Sequence, residues 1–263
     1  MDEPTKPAQD TGHATLEASI GAPIAHIRLN RPSLANRFDA TAHAEFPVAL
    51  QAAAGHAATR VIVLSAAGKI FSAGGAFEDI LAGHASEALR QTMAAQARDI
   101  FFSLLDSPVP IVAAVQGAAI GLGATIVSLC DLSIAFKDAK IADPHVAVGL
   151  VAGDGGVIGW AQSMGINRAR RFLLTGESIT AAKACDLGLI GEVVDQPEQV
   201  LPRALALAEH LASLPPMAVQ GTRRAFATLI RQYGIAPFES GLAAEMDSMA
   251  HPDLIGQIAK LRR

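Results

Sequence analysis

The sequence predicts an α/β domain with a C-terminal helical region, and three observations predict it. Short apolar segments of strand type alternate with segments of helical spacing through most of the chain, as parallel strands joined by helical crossovers do. Two glycine-rich loops, FSAGGAF at residues 71–77 and GAAIGLG at 117–123, each follow such a strand and precede a helix. Beyond Pro197 helical spacing continues alone.

In chain order, residues 24–29 alternate as a half-buried strand that Arg31-Pro32 ends in a turn. Residues 39–54 read as a helix, and 61–65 as a short apolar strand leading through Gly68 into FSAGG. Helical spacing follows at 85–106, a strand at 110–115, the second glycine loop with its helix, and a strand at 132–136. From Gly155 onward helical patterns dominate, broken at Gly165, Gly176, residues 188–191, Pro215-Pro216 and Gly234. The predicted organisation is a flexible tail at 1–14, a core at 15–196 and a helical region at 197–263.

Composition bounds the function. With 263 residues, 51% of them hydrophobic and 17% charged, the chain buries a sizeable core. A formal net charge of −4 without a basic cluster gives no footprint for nucleic acid or an anionic membrane, so a small-molecule substrate is expected. Cys130 and Cys185 lie far apart in apolar surroundings, which predicts no disulfide framework and a reducing compartment, the cytoplasm by default. The acidic, proline-containing start is not the basic-then-apolar pattern of a signal peptide. The apolar run at 111–136 is broken by Gln116, glycines and Asp131, so it divides into strand, loop, helix and strand rather than spanning a membrane. The eight histidines show no paired ligand spacing, Ser72 has no nucleophile elbow around it, and the second glycine loop is not a dinucleotide fingerprint. No metal and no separate cofactor are expected.

The chemistry concentrates in two places. Glycines 117, 121 and 123 precede an apolar helix, an arrangement that presents unpaired amides where the helix dipole favours negative charge. DPHVAVGLVAGDGG then carries His145, which titrates near neutral pH, and Asp154 at the start of the next helix, where a carboxylate can fix an imidazole tautomer.

LNRPSLAN, FSAGG, PIVAAVQGAAIGLG, GLVAGDGG and FLLTGESITAAKACDLGLIGEVV together resemble the enoyl-CoA hydratase/isomerase, or crotonase, superfamily from about residue 15 to the end. The resemblance implies a ββα spiral core and a C-terminal helical region, residues 197–263, that builds a homotrimer or a dimer of trimers. It also implies an oxyanion hole for an acyl-CoA thioester, with CoA entering as part of the substrate. Carried over by position, the two donors are the backbone amides of Ala73 and Leu122, and Gly74, Gly75, Gly121 and Thr125 meet the substrate.

Departures from the family are informative. Hydratases with similar loops carry two glutamates where this chain has Thr125 and His145, so their acid–base pair is absent. His145 as base with Asp154 as its orienting acid is similar to the β-diketone hydrolases of the superfamily, such as 6-oxocamphor hydrolase. His43 in TAHAEF and Glu245 in SGLAAE match further positions there and complete the catalytic candidates. FSAGG, the thioester loop, is retained. Ala76 replaces the acid that commonly follows AGG, with Glu78 and Asp79 downstream, and Lys260, Arg262 and Arg263 can meet phosphates. The expected function is carbonyl polarisation of an acyl-CoA with His/Asp proton transfer. A β-diketone C–C hydrolase and a non-catalytic acyl-CoA-binding protein are the alternatives.

Overall fold

Apolar β-branched segments with no polar face must be covered on both sides, and Val61–Ala66 (β3) and Ile111–Val115 (β4) are buried in this way. The computed structural model describes residues 12–261. Residues 1–11 of the expected tail, and Arg262 and Arg263, lie outside the described residues. Leu16–Ser19 (β1) pairs antiparallel with Ile24–Leu29 (β2), and β2, β3, β4, Leu132–Phe136 (β6) and Glu192–Val194 (β9) continue in parallel, in the order β1-β2-β3-β4-β6-β9. A second sheet joins Ala119–Ile120 (β5), Lys140–Ala142 (β7) and Ile179–Thr180 (β8).

Helix boundaries follow local chemistry. Asp39 caps Ala40–Gly55 (α1) by accepting the Ala42 amide at 3.0 Å. The helix expected over 85–106 is Glu87–Leu105 (α3), which starts where the Ser86 hydroxyl accepts the Leu89 amide, and Phe77–Ala85 (α2) precedes it as a helix that the sequence reading did not place. Leu122–Leu129 (α4), His145–Val148 (α5), Gly156–Met164 (α6), Ile166–Thr175 (α7) and Ala181–Leu187 (α8) follow. The C-terminal region comprises Val200–Ser213 (α9), Pro216–Ala250 (α10) and Asp253–Leu261 (α11).

These last helices do different work. Val200, Ala204 and Ala208, one stripe of α9, pack on Val61, Val63, Val112, Ala114 and Ile134 and close one face of the large sheet. The other face lies against the main core, which includes Phe46, Leu50, Phe71, Ile126 and Trp160. Helix α10 crosses α3, with Phe101 and Phe238 stacked at 4.0 Å.

The functional loops leave the carboxyl ends of β3, β4 and β7, where parallel strands present their ligands. They touch first at Gly117, where an added Cβ would stand 1.9 Å from the Lys69 carbonyl oxygen. Gly117→Ala is therefore expected to destabilise the fold by about 1–3 kcal/mol, the usual cost of overpacking. A urea midpoint equal to that of the parent contradicts this close approach.

Candidate active site

The two glycine loops are bound to each other before they meet any substrate. Phe71 and Ser72 donate their amides to the Ala118 carbonyl at 3.0 and 3.1 Å, and Ile120 donates to the Ser72 carbonyl at 3.0 Å. Gly74, at φ +81°, passes so close that a Cβ would lie 2.7 Å from the Ile120 carbonyl oxygen. Gly121, at φ +53°, caps α4 and donates to the Ala142 carbonyl at 2.8 Å.

Most amides of the first loop are already engaged. Ala73, expected as an oxyanion donor, gives its N–H to the Ala35 carbonyl at 3.0 Å. Gly74 donates to the Ser72 hydroxyl at 3.2 Å, and Ala76 to the Phe38 carbonyl at 3.0 Å. Between them the Gly75 amide has no hydrogen-bond partner among the described residues, and Gly75 lines the cavity. The amide that this loop leaves available is therefore that of Gly75 rather than Ala73, because residues 35–38 lie alongside it and consume the flanking amides. Leu122, the first residue of α4, keeps the orphan N–H of a helix start.

Facing the loops is an imidazole held by acids on both sides. Asp143 accepts the His145 backbone amide at 3.3 Å, and the same oxygen, Oδ1, makes a very short contact with His145 Nδ1. On the far side of the ring, Nε2 lies 3.7 Å from Asp154 Oδ2 and 4.0 Å from Glu245 Oε1. Asp154 itself accepts the Thr125 hydroxyl at 2.9 Å and the Gly156 amide at 3.3 Å.

The orienting acid is thus Asp143, which the spacing argument passed over in favour of Asp154. The D-P-H turn returns the carboxylate onto the ring two residues later, and Asp154 is left facing Nε2 within reach of one bridging water. Thr125, expected to meet substrate, is buried behind Asp154, gives its hydroxyl to that carboxylate and does not line the cavity.

Two glycines make room for this cluster. A Cβ on Gly156 would lie 2.4 Å from Asp143 Oδ2, and one on Gly153 would lie 2.3 Å from the Gly241 carbonyl oxygen. The second approach admits α10 and brings Glu245 to the imidazole.

Burial alone would lower the His145 pKa, but the charges of Asp143, Asp154 and Glu245 and the bond to Asp143 raise it well above the ordinary value. Asp143 is held below the carboxylate range because the His145 charge and hydrogen bonds overcome its burial. Burial raises Asp154, and it pushes Glu245 up to about 8. At neutral pH His145 is an imidazolium and Glu245 a neutral acid, so His145 rests as a proton donor.

The sign for stability follows. Folded His145 keeps a proton that the unfolded chain loses above 6.5, and folded Glu245 keeps one that the unfolded chain loses above 4.5. Stability is therefore expected to fall as pH rises from 6.5 to about 8, with a smaller fall in His145→Gln. Urea midpoints across this range check it, and an equal fall in the variant contradicts it.

These groups border one cavity of about 350 Å³ whose walls include Phe77, Ile80, Met93, Leu150, Met246 and Met249. Gly74, Gly75, Gly121, Leu122, His43, His145, Asp154 and Glu245 all face it, as does Ala76. Asp79 lines it as well and accepts the Ala40 amide at 2.9 Å, whereas Glu78 pairs with Arg37 at 3.1 Å. Lys260 bonds Gln257 at 3.4 Å. Asp143, His145 and Asp154 bring one ligand-type atom each within 4.8 Å of one another, the donor set of a divalent cation, although Asp143 and Nδ1 already engage each other. Burial raises the Cys130 thiol pKa, which leaves it without nucleophilic character.

Comparison with known proteins gives one consistent result. The family model described as enoyl-CoA hydratase/isomerase matches residues 19–251. The 2,3-dehydroadipyl-CoA hydratase of Escherichia coli K12 is 30% identical over 219 residues, covering 83% of this chain and 82% of that protein. A peroxisomal Delta(3,5)-Delta(2,4)-dienoyl-CoA isomerase of Arabidopsis thaliana is 28% identical, covering 83% and 81%. The crystal structure of an enoyl-CoA hydratase/isomerase from Mycobacterium paratuberculosis superimposes with a TM-score of 0.88 at 32% identity, covering 94% of this chain and 98% of that one. Among the described residues, no helix is long and apolar enough to cross a membrane.

Proposed function

The chain belongs to the enoyl-CoA hydratase/isomerase family, and from that premise we propose that it transfers protons to and from an acyl-CoA whose thioester oxygen sits between the Gly75 and Leu122 amides. The observation that carries this reading is the pairing of two uncommitted backbone donors with a cationic imidazole in one cavity. Charge that develops on the oxygen meets donors already in place, an effect worth about 10²–10³ in rate per donor. His145 gives its Nε2 proton to the carbon end of the enolate, Asp143 steadies the ring through Nδ1, and Asp154 lies beside Nε2 and favours the charged ring. CoA is part of the substrate, and no separate cofactor takes part.

A second reading, hydrolysis of a β-diketone, is favoured by one feature. Glu245 Oε2 is buried without a hydrogen-bond partner among the described residues, so a neutral Glu245 has a donor to offer a second substrate carbonyl. In that reaction water adds to one carbonyl, the bond between that carbon and its neighbour breaks, and the enolate leaves into the oxyanion hole.

Purified protein incubated with enoyl-CoA esters and cyclic β-diketones, with products fragmented by mass spectrometry, separates the two. Water gained on an intact skeleton supports the thioester reading, and ring opening supports the hydrolase. Binding of CoA esters without turnover removes both.

Assembly is the other part of this reading, as a trimer or dimer of trimers in the cytoplasm. Phe226, Leu229 and Tyr233 form an exposed apolar row on α10, and Ile166 and Leu174 lie exposed on α7. Light scattering at micromolar concentration is expected to give a mass of three or six chains, and monomer alone contradicts it.

A further inference from the structure

His43 is the cavity histidine whose proton has only one possible address. Its Nδ1 lies 2.9 Å from the Asp39 carbonyl oxygen, one helical turn back in α1. A carbonyl only accepts, so Nδ1 carries the hydrogen and Nε2 carries the lone pair. The Nδ1 bond is the only side-chain hydrogen bond of His43 among the described residues, so Nε2 is left without one, and the ring forms part of the cavity wall.

The rest of the ring is fixed as firmly. Phe38 packs edge-on at 5.7 Å between centroids. The Asp39 carbonyl is anchored because its side chain caps α1 and pairs with Arg31 at 2.5 Å. A lone pair held in place in a cavity that also contains an oxyanion hole and a proton donor is the missing half of an acid–base pair.

We infer that His43 Nε2 is the base of the site and that His145 works opposite in role, as the acid. Burial lowers the His43 pKa and keeps the ring neutral at pH 7, against the opposing charges of Asp79 on α2, Asp154 before α6 and Asp39 on its own helix. His145, between its acids, is held in the other protonation state. For addition of water, one O–H bond of the water breaks and its proton goes to His43 Nε2, while the oxygen bonds the β-carbon. The electron pair of the double bond moves to the thioester oxygen, between the Gly75 and Leu122 amides. His145 Nε2–H then protonates the α-carbon as the carbonyl re-forms. One proton is taken and one given, and solvent exchange restores both rings.

The substrate in this scheme rests on the acyl-CoA reading, but the tautomer does not, and the tests are separable. Long-range proton–nitrogen NMR correlations on the folded protein at pH 7 are expected to show His43 neutral with Nδ1–H, and His145 doubly protonated. A cationic His43, or its Nε2–H tautomer, overturns the inference whether or not any substrate is found. Diethyl pyrocarbonate, which acylates only unprotonated imidazole nitrogen, is expected to label His43 faster than His145. The reverse order overturns the inference.

With a substrate in hand, His43→Asn keeps a donor near Asp39 but has no Nε2. Turnover is expected to drop by at least about a hundredfold with KM little changed, and the acidic limb of the pH–rate profile to disappear. Added imidazole is expected to restore part of the activity of His43→Ala. Parental turnover and an unchanged acidic limb in a folded His43→Asn protein reject His43 as the base.

Discussion

Replacing His145 by alanine is expected to lower turnover by about 10²–10⁴, the range of general acid–base catalysis. The ring is the one cation among Asp143, Asp154 and Glu245, so truncation removes the proton donor and also leaves buried acids facing one another. Activity is therefore to be compared with the folded fraction, measured by circular dichroism. Asp143→Asn separates the two effects, since an amide in that place can hold the ring in the wrong tautomer while nearly preserving shape. It is expected to lose nearly as much turnover as His145→Ala. Parental turnover in folded His145→Ala would move the proton transfer to other residues.

Leu122→Pro is expected to cost about 10²–10³ in turnover with the fold intact, because proline removes the amide donor at a position where a helix tolerates it. Leu122 is the first residue of α4, the position where proline is accommodated in a helix, and its N–H serves no hydrogen bond among the described residues. Leu122→Ala keeps the amide and is expected to change turnover much less. Steady-state kinetics on the two variants make the comparison, and equal losses would place the effect in the leucine side chain.

Much of the fold could be read in the sequence because it rests on local pattern. The alternation at Ile24–Leu29, the apolar runs of β3 and β4 and the helix after the second glycine loop all appear where periodicity places them. The start of α3 was equally local, a capping serine at Ser86, whereas the short helix α2 just before it went unread. Two-residue pairings such as Ala119–Ile120 and Ile179–Thr180 are too short for periodicity to register.

In the site, legibility divided by distance in the chain. Leu122 was named through the family resemblance, and its orphan amide at a helix start is a local property that the glycines before it also signal. Choosing between Ala73 and Gly75 required knowing which amides residues 35–38 take up, a contact between distant segments. Asp143 stood two residues from His145 and was readable as a D-x-H turn, whereas Asp154 drew attention as the acid beside a helix start. Glu245 could be placed only by resemblance, since its position depends on Gly153 and Gly241 letting α10 pass.

The central claim is that two backbone amides, Gly75 and Leu122, stabilise an enolate beside a proton-transfer cluster. Exchange of the α-protons of butyryl-CoA in deuterium oxide, followed by mass spectrometry, tests it most directly, because a saturated thioester can enolise but has no double bond to hydrate. Deuterium uptake well above the buffer rate, falling about a hundredfold or more in Leu122→Pro, is the predicted result. No uptake with the parent protein, or equal uptake with Leu122→Pro, contradicts it.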